Sequence, residues 1–489
     1  MKINSSDNYL RLALRAIDEV LMPEVSSSAA KSTIEILKTT LKELRKREAG
    51  ASEVLREVIG NGQALYTEVK HALGEQAEPV VEDLSSLSWA ALTEVYENLV
   101  RQLSGVAEKL EVAEPGNKAP LLRKIAEWEL SYYEKMAGVT VVDSANADLA
   151  TAQEGQVSLD KALLESFLNS ANLEPQSSVQ LDTFQALPGG FGKQTYMCAY
   201  TGEGDRRREL VVRKMDPQPI MRHGACSLER EYALLRALPE DYPAPKPFAY
   251  AENWRNVDGD FYVMERSLGD VPGAFLHGMS GEVPEAVFLD LATYLGRLHS
   301  LPVSDFATYA RECETSGVLD GDTRHAYLRN MAGWDAYIQN EEHLPSPYLH
   351  WLIHWLANNI PADERPPVLV HGDFNIHNVL VHEGRISCIL DWECAGFGAA
   401  EQDLAYIRPH ISQHIDWQRF LDHYLEHGGR EPREDMMRYG MAYAALRTNL
   451  AGNKATLNLQ TGRNQDLRYA MVELGFTPSF MQLALGNTD

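Results

Sequence analysis

The hydrophobic period changes twice along this chain of 489 residues, and each change restricts what can form there. From Ser5 to about Met136 apolar residues recur at helical spacing, as in Leu10, Leu14, Ile17 and Leu21 and again in Ile34, Leu37, Leu41 and Leu44. Breaks near Met22-Pro23, Glu48 to Gly50, Gly74 to Pro79 and Glu114 to Pro120 cut this stretch into pieces of roughly 15 to 25 residues, the pattern of a bundle of four or five antiparallel helices. Asp143 to Ser158 is small and polar, as linkers are, and a helix-like stretch follows from Leu159 to Ala171. Short β-type runs then take over at Val179 to Phe184, Tyr196 to Tyr200, Glu209 to Lys214 and Phe261 to Glu265, interrupted by a helical stretch from Leu228 to Leu238. From Ala286 the pattern is mostly helical again, except for strand-like Val368 to Val370, Val379 to His382 and Ile386 to Asp391. The pattern predicts an α+β chain: a helical bundle over 1–140, a linker and lead-in helix over 141–172, a small β-rich lobe over 173–266 and a large helical lobe over 267–489. Two lobes of this kind enclose a cleft.

Composition narrows the classes of function. Hydrophobic residues make up 44% and charged residues 24%, the balance of a globular, soluble protein. The formal net charge of -25 opposes sequence-independent binding to nucleic acid or to an anionic membrane surface. Met1 to Ser6 lacks the basic and apolar regions of a signal peptide, and no stretch approaches the roughly 18 apolar residues of a membrane span. The five cysteines, Cys198, Cys226, Cys313, Cys388 and Cys394, are scattered without a C-x-x-C pair and read as reduced thiols, so the expected location is cytoplasmic.

The residues that carry chemistry lie after the last strand-like switch. Asp373 stands on a loop following Val368 to Val370, Asn378 comes five residues later, and Asp391 ends the run Ile386-Ser387-Cys388-Ile389-Leu390. Phosphoryl transfer needs a carboxylate to orient the attacking hydroxyl, hard oxygen ligands for magnesium, and cations on the phosphates. Asp373 suits the first task; Asn378 and Asp391 suit the second. Singly, an Asp-x-x-x-x-Asn or an aspartate after a strand is more often a turn or a helix cap. Together, in these strand contexts, they form a specific signal.

His371-Gly372-Asp373 through Asn378, followed by Leu390-Asp391-Trp392-Glu393, resembles the catalytic loop and metal aspartate of the aminoglycoside phosphotransferase and choline kinase family. The resemblance covers about residues 175 to 430 and implies a bilobal protein-kinase-like fold, with ATP and Mg2+ as cofactors. Gly398 to Ala405 is similar to the family's G-x-P-x-x-D-L-A segment, with Ala400 at the usual proline, and there the aspartate, Asp403, braces the loop. Leu295-Gly296-Arg297-Leu298-His299 is similar to the helix that packs beneath the loop, which implies a core role for His299 and no catalytic one.

In the small lobe, Gly189, Gly190 and Gly192 lie between two strand-like runs, where glycines let backbone amides approach phosphate; as a bare Gly-Gly turn the same run would be a hairpin. The spacing matches neither a Walker loop nor a Rossmann fingerprint. The resemblance places a phosphate-binding cation at the end of the next strand. Alternation sends Arg213 and Lys214 to opposite faces, so only one enters the cleft, and alignment favours Arg213, as in the kinase domains associated with acyl-CoA dehydrogenases. Its ion-pair partner is expected to be Glu231, with Glu229 the alternative. Phe261 to Arg266 resembles the hinge strand whose backbone receives adenine, which puts Met264 and Glu265 at the nucleotide; Pro243 to Pro247 reads as a rigid connection before it. The expected reaction is phosphorylation of a small-molecule hydroxyl, the acceptor being a hydroxylated catabolic intermediate such as a hydroxyacyl-CoA, an aminoglycoside-type antibiotic, or nothing at all in a pseudokinase that acts as a binding module. Aromatic residues between Phe306 and Leu356, among them Trp334, Tyr337, Tyr348 and Trp351, read as core. The N-terminal bundle offers a surface for docking on the kinase lobes or for a homodimer.

Overall fold

The computed structural model describes residues 10, 13–14, 17–77, 81, 83–112, 119–139, 157–174, 178–187, 192–202, 206–217, 227–274, 278–279, 282–312, 321–460 and 472–488. The main elements are helices α1 (Ser28–Ala72), α2 (Trp89–Val112), α3 (Ala119–Ala137) and α4 (Lys161–Ser170), then strands β1 (Leu181–Leu187), β2 (Lys193–Thr201) and β3 (Arg207–Met215). Helix α5 (Leu228–Ala237), strands β4 (Pro247–Ala251) and β5 (Phe261–Glu265), and helices α6 (Glu285–Ser300), α7 (Thr323–Asn340) and α8 (Pro347–Asn358) follow. The chain continues through β6 (Val368–Val370), β7 (Val379–His382), β8 (Arg385–Ile389) and β9 (Gly396–Gly398) to α9 (Glu401–Ile411), α10 (Trp417–Glu426), α11 (Glu434–Gln460) and α12 (Thr477–Gly486). Among the described residues no helix is long and apolar enough to cross a membrane.

Two compact units share these elements: one takes Met1–Gln153, Ile338–Asn359 and Ala445–Asp489, the other Glu154–Tyr337 and Ile360–Ala444. The helical unit is therefore not confined to the expected residues 1–140. It also takes in α8, the second half of α11 and α12, segments that the sequence reading assigned to the large lobe of 267–489. The apolar face of α8, with Tyr348, Trp351 and Leu352 nearly inaccessible to water, packs on α2 and α3, and no local pattern announces such a distant partner. The expected break at Glu48 to Gly50 is also absent. Helix α1 runs 45 residues without interruption, capped by Ser27, whose hydroxyl accepts the Ala30 N–H at 3.4 Å. A glycine inside a helix costs about 1 kcal/mol, and the burial of Ala51, Val54, Leu55, Val58 and Ile59 outweighs it. A Cβ on Gly50 would come within 2.8 Å of Val139, so this glycine marks a close packing contact rather than a break.

In the second unit, β1 to β5 form an antiparallel sheet in the order β1-β2-β3-β5-β4. Its core joins Leu181, Tyr200, Leu210, Val212, Phe261 and Val263. Leu164, Phe167 and Leu168 of α4 belong to the same core, so the lead-in helix is part of the β-rich lobe and the lobe begins before residue 173. β4 begins at Pro247, where a rigid connection was expected; proline is tolerated here as the first residue of an edge strand. Beyond the sheet, the hairpin β7–β8 and the pairing of β6 with β9 frame the loop that carries Asp373. Trp334 and Tyr337 of this unit and Tyr348 and Trp351 of the helical one are all buried, the core role their type predicts.

Candidate active site

Strand β6 is buried along its whole length, and the chain turns sharply at its end. Gly372 makes the turn possible: its φ is +77°, and a Cβ there would lie 2.2 Å from the Cys394 carbonyl oxygen. Asp403, fully buried in the first turn of α9, holds the turn from beneath. Its carboxylate accepts the N–H groups of His371 at 2.7 Å and Gly372 at 2.8 Å, and His299 Nε2 stands 3.2 Å away. His299 Nδ1 in turn lies 2.9 Å from the Tyr424 hydroxyl, which accepts the Arg430 N–H at 3.1 Å. Burial by itself would raise the Asp403 carboxyl, but His299 and the His371 N–H outweigh it and hold the group below the usual aspartate range.

On this platform Asp373 and Asn378 meet. The Asn378 amide nitrogen donates to the Asp373 carbonyl at 2.9 Å and to its carboxylate at 3.1 Å. His371 Nδ1 accepts the Asp373 N–H at 3.2 Å, so the proton sits on Nε2, which donates to the Leu390 carbonyl at 2.9 Å. The Leu390 N–H donates to the Asn378 carbonyl at 2.7 Å, which ties the loop to the end of β8. The next residue, Asp391, adopts φ +64° and ψ +60°, a left-handed conformation costly for a residue with a side chain and concentrated at functional sites. Trp392 fixes the turn behind it: its indole N–H donates to the Ile389 carbonyl at 2.8 Å, and its ring centroid is 4.6 Å from that of His371.

The sheet supplies the opposing charges. Arg213 pairs in register with Thr195 and Tyr262, and its guanidinium reaches Asp391 at 2.8 Å, Glu231 at 3.3 Å and Glu393 at 3.7 Å. Lys214 points to the other face, wholly buried, with Asp258 at 2.7 Å and Gln194 at 3.0 Å. Glu231 is buried on α5, whereas Glu229 is exposed. Gly192 has φ +86° at the entry to β2 and accepts the Asp216 N–H at 3.1 Å; Gly189 and Gly190 lie outside the described residues. Met264 is buried in β5 between Val211 and Pro247, and Glu265 turns outward to pair with Arg208. Neither side chain joins the charged cluster.

Two members of the cluster escaped the sequence reading. Lys193, buried at the start of β2, lies 3.1 Å from Glu231 and contacts Glu393. Burial would lower its ammonium, but Glu231 and Glu393 outweigh that and keep it charged. Glu393, two residues beyond Asp391, is pushed up by burial, while Arg213 and Lys193 reverse the effect of burial on Asp391 and hold it low. A lysine directly after a Gly-rich run and a second acid after Asp391 were visible signals; what they lacked was any local mark of direction.

Over residues 183–439 the chain matches the phosphotransferase enzyme family. It belongs to that family. Acyl-CoA dehydrogenase family member 11 of Rattus norvegicus is 32% identical over 216 residues, 43% of this chain and 26% of that protein. Aminoglycoside 3'-phosphotransferase of Escherichia coli is 31% identical over 126 residues, 24% of this chain and 40% of that protein. Macrolide 2'-phosphotransferase type I, a solved structure, is 18% identical and superposes over 68% of this chain and 99% of its own with a TM-score of 0.41. The chain spans about a quarter of the length of the acyl-CoA dehydrogenase relatives it matches.

Proposed function

We propose that this phosphotransferase moves the terminal phosphoryl group of ATP, with magnesium, to a hydroxyl of a small molecule. The observation that carries the reading is a pair of linked contacts: Asn378 holds the Asp373 carboxylate, Arg213 pairs with Asp391, and the Leu390 N–H bond to the Asn378 carbonyl ties the two loops together. The donor set fits the cofactors. Asp391 offers carboxylate oxygens and Asn378, its amide nitrogen committed to Asp373, offers its carbonyl oxygen, and hard oxygens of this kind suit magnesium. Among the described residues Arg213 Nε is buried without a hydrogen-bond partner, a donor that a phosphate oxygen would satisfy. Magnesium-ATP, when bound, supplies the phosphoryl group and offsets the charge on its oxygens.

The chain's own residues divide the remaining work. Asp373 orients the acceptor hydroxyl and takes its proton as general base; Asn378 and Asp391 hold the metal ion. Arg213 binds phosphate, and Glu231 fixes the direction of its guanidinium. Gly192, with Gly189 and Gly190, lets the turn approach phosphate, and the backbone of Met264 and Glu265 receives adenine.

The acceptor in this reading is a hydroxylated catabolic intermediate of the hydroxyacyl-CoA type, supported by the names of the acyl-CoA dehydrogenase relatives and their identity with this chain. The test is a transfer screen with magnesium and γ-labelled ATP against hydroxyacyl-CoAs, aminoglycosides, choline-like alcohols and sugars. Labelled hydroxyacyl-CoA is the expected result. Labelled aminoglycoside alone would assign the chain to antibiotic modification. No labelled product together with no nucleotide binding would overturn phosphotransfer and leave a binding module.

A further inference from the structure

A cavity of about 410 Å³ opens within the helical unit, a size suited to a small molecule. Its walls come from α1, α2, α3, α8, α11 and α12, and the rings of Tyr96, Tyr132, Tyr133 and Tyr348 line it. The Tyr96 and Tyr132 centroids are 5.5 Å apart, and those of Tyr132 and Tyr133 are 5.4 Å apart.

Two polar groups in this lining are acceptors whose needs the protein leaves incomplete. Glu129, half-buried on α3, accepts the Ser346 hydroxyl at 2.9 Å and the Tyr348 N–H at 2.8 Å, which caps the first turn of α8. Among the described residues no cation pairs with it, and burial pushes its carboxyl up to about 7. Asn449, 2% exposed, donates from its amide nitrogen to the Ala445 carbonyl at 2.8 Å and towards the Tyr348 hydroxyl at 3.3 Å. The Ala445 carbonyl can only accept, so it fixes the amide orientation and leaves the Asn449 oxygen buried with no hydrogen bond among the described residues. A buried acceptor without a donor is costly, and so is a carboxylate without a cation. The Asn449 oxygen has no surface open to the cavity, but the Glu129 carboxylate does, and its complement is a cationic N–H, a charge that tyrosine faces also attract. The other charged groups of the lining are Arg47, Arg101 and Glu97, and with an ionised Glu129 they sum to zero. Selection therefore rests on Glu129 and the tyrosine faces rather than on the field of the pocket.

We propose that this cavity binds an organic ammonium with N–H donors and an apolar body, its nitrogen held by Glu129 and its body by the tyrosine rings. The proposal stands apart from the phosphotransfer reading and does not depend on it.

Isothermal titration of the full chain with phenethylammonium tests it, against two controls of similar shape: 2-phenylethanol, which lacks the charge, and phenyltrimethylammonium, which lacks N–H. Saturable binding of phenethylammonium about tenfold or more tighter than either control is expected. Glu129→Gln keeps an acceptor for Ser346 and Tyr348 and should lose about tenfold or more of that affinity with an unchanged helical circular dichroism spectrum. If that variant unfolds, Tyr132→Leu, which removes one of the lining rings, should weaken binding instead. No saturable heat at millimolar probe, equal affinity for 2-phenylethanol, or undiminished binding by both variants would overturn the proposal in favour of a water-filled cavity beside a helix-capping, protonated Glu129.

Discussion

Replacing Asp403 with asparagine tests whether the loop geometry is imposed from beneath. The carboxylate receives two loop N–H groups, at 2.7 and 2.8 Å, in a setting fully closed to water. Asparagine preserves the shape but exchanges one oxygen for an NH2 group, so one of the two N–H groups loses its acceptor and faces another donor. A lost hydrogen bond to a charged group is worth about 1.5–3 kcal/mol, and a buried orphan N–H costs about 1–3 kcal/mol. These overlap, and a net cost of about 3 kcal/mol at the loop follows, before any change at His299. Because the chain comprises two units, a global unfolding midpoint would mix their responses. Hydrogen exchange of the peptide carrying His371 and Gly372 reads the loop directly. About 3 kcal/mol corresponds to roughly hundredfold faster exchange there, since about 1.4 kcal/mol is a factor of ten. Phosphoryl transfer should slow in the same variant, with nucleotide affinity changed far less. Wild-type protection of both amides together with wild-type turnover would refute the bracing role.

Other perturbations separate neighbouring residues. Gly372→Ala places a Cβ 2.2 Å from the Cys394 carbonyl oxygen and should reduce the transfer rate by about tenfold or more without loss of the sheet, as measured by steady-state kinetics and circular dichroism. Arg213→Met should raise the KM for ATP, whereas Lys214→Met, on the opposite face, should lower thermal stability through the orphaned Asp258 and leave that KM unchanged. Glu129 gives a pH dependence of known sign. Its carboxyl rises from 4.5 to about 7, so the folded chain holds a proton that the unfolded chain releases between those values, and stability falls as pH climbs through that window. Glu129→Gln should flatten this slope in chemical denaturation followed from pH 5 to pH 8.

The placement of the loop was legible because its residues are local: Asp373, Asn378 and Asp391 and the strands around them lie within one stretch of sequence. Strand alternation likewise separated Arg213 from Lys214, since period-two geometry needs no knowledge of neighbours. Lys193 and Glu393 were harder, because what draws them into the cluster is Glu231 and Arg213, distant in sequence. Gly50 misled for a related reason: its role is to admit Val139, a contact some ninety residues away in the chain. The transfer of α8 and residues 445–489 to the helical unit was illegible by the same logic, since each carries an apolar face that would suit either unit.

The central claim, phosphoryl transfer with Asp373 as base, is tested most directly by Asp373→Asn. The measurement is single-turnover transfer from γ-labelled ATP to the acceptor identified by screening, alongside nucleotide affinity. The variant should bind magnesium-ATP within about twofold of wild type and transfer phosphate about 10² to 10⁴ times more slowly. Transfer at the wild-type rate by a folded, nucleotide-binding Asp373→Asn would contradict the account.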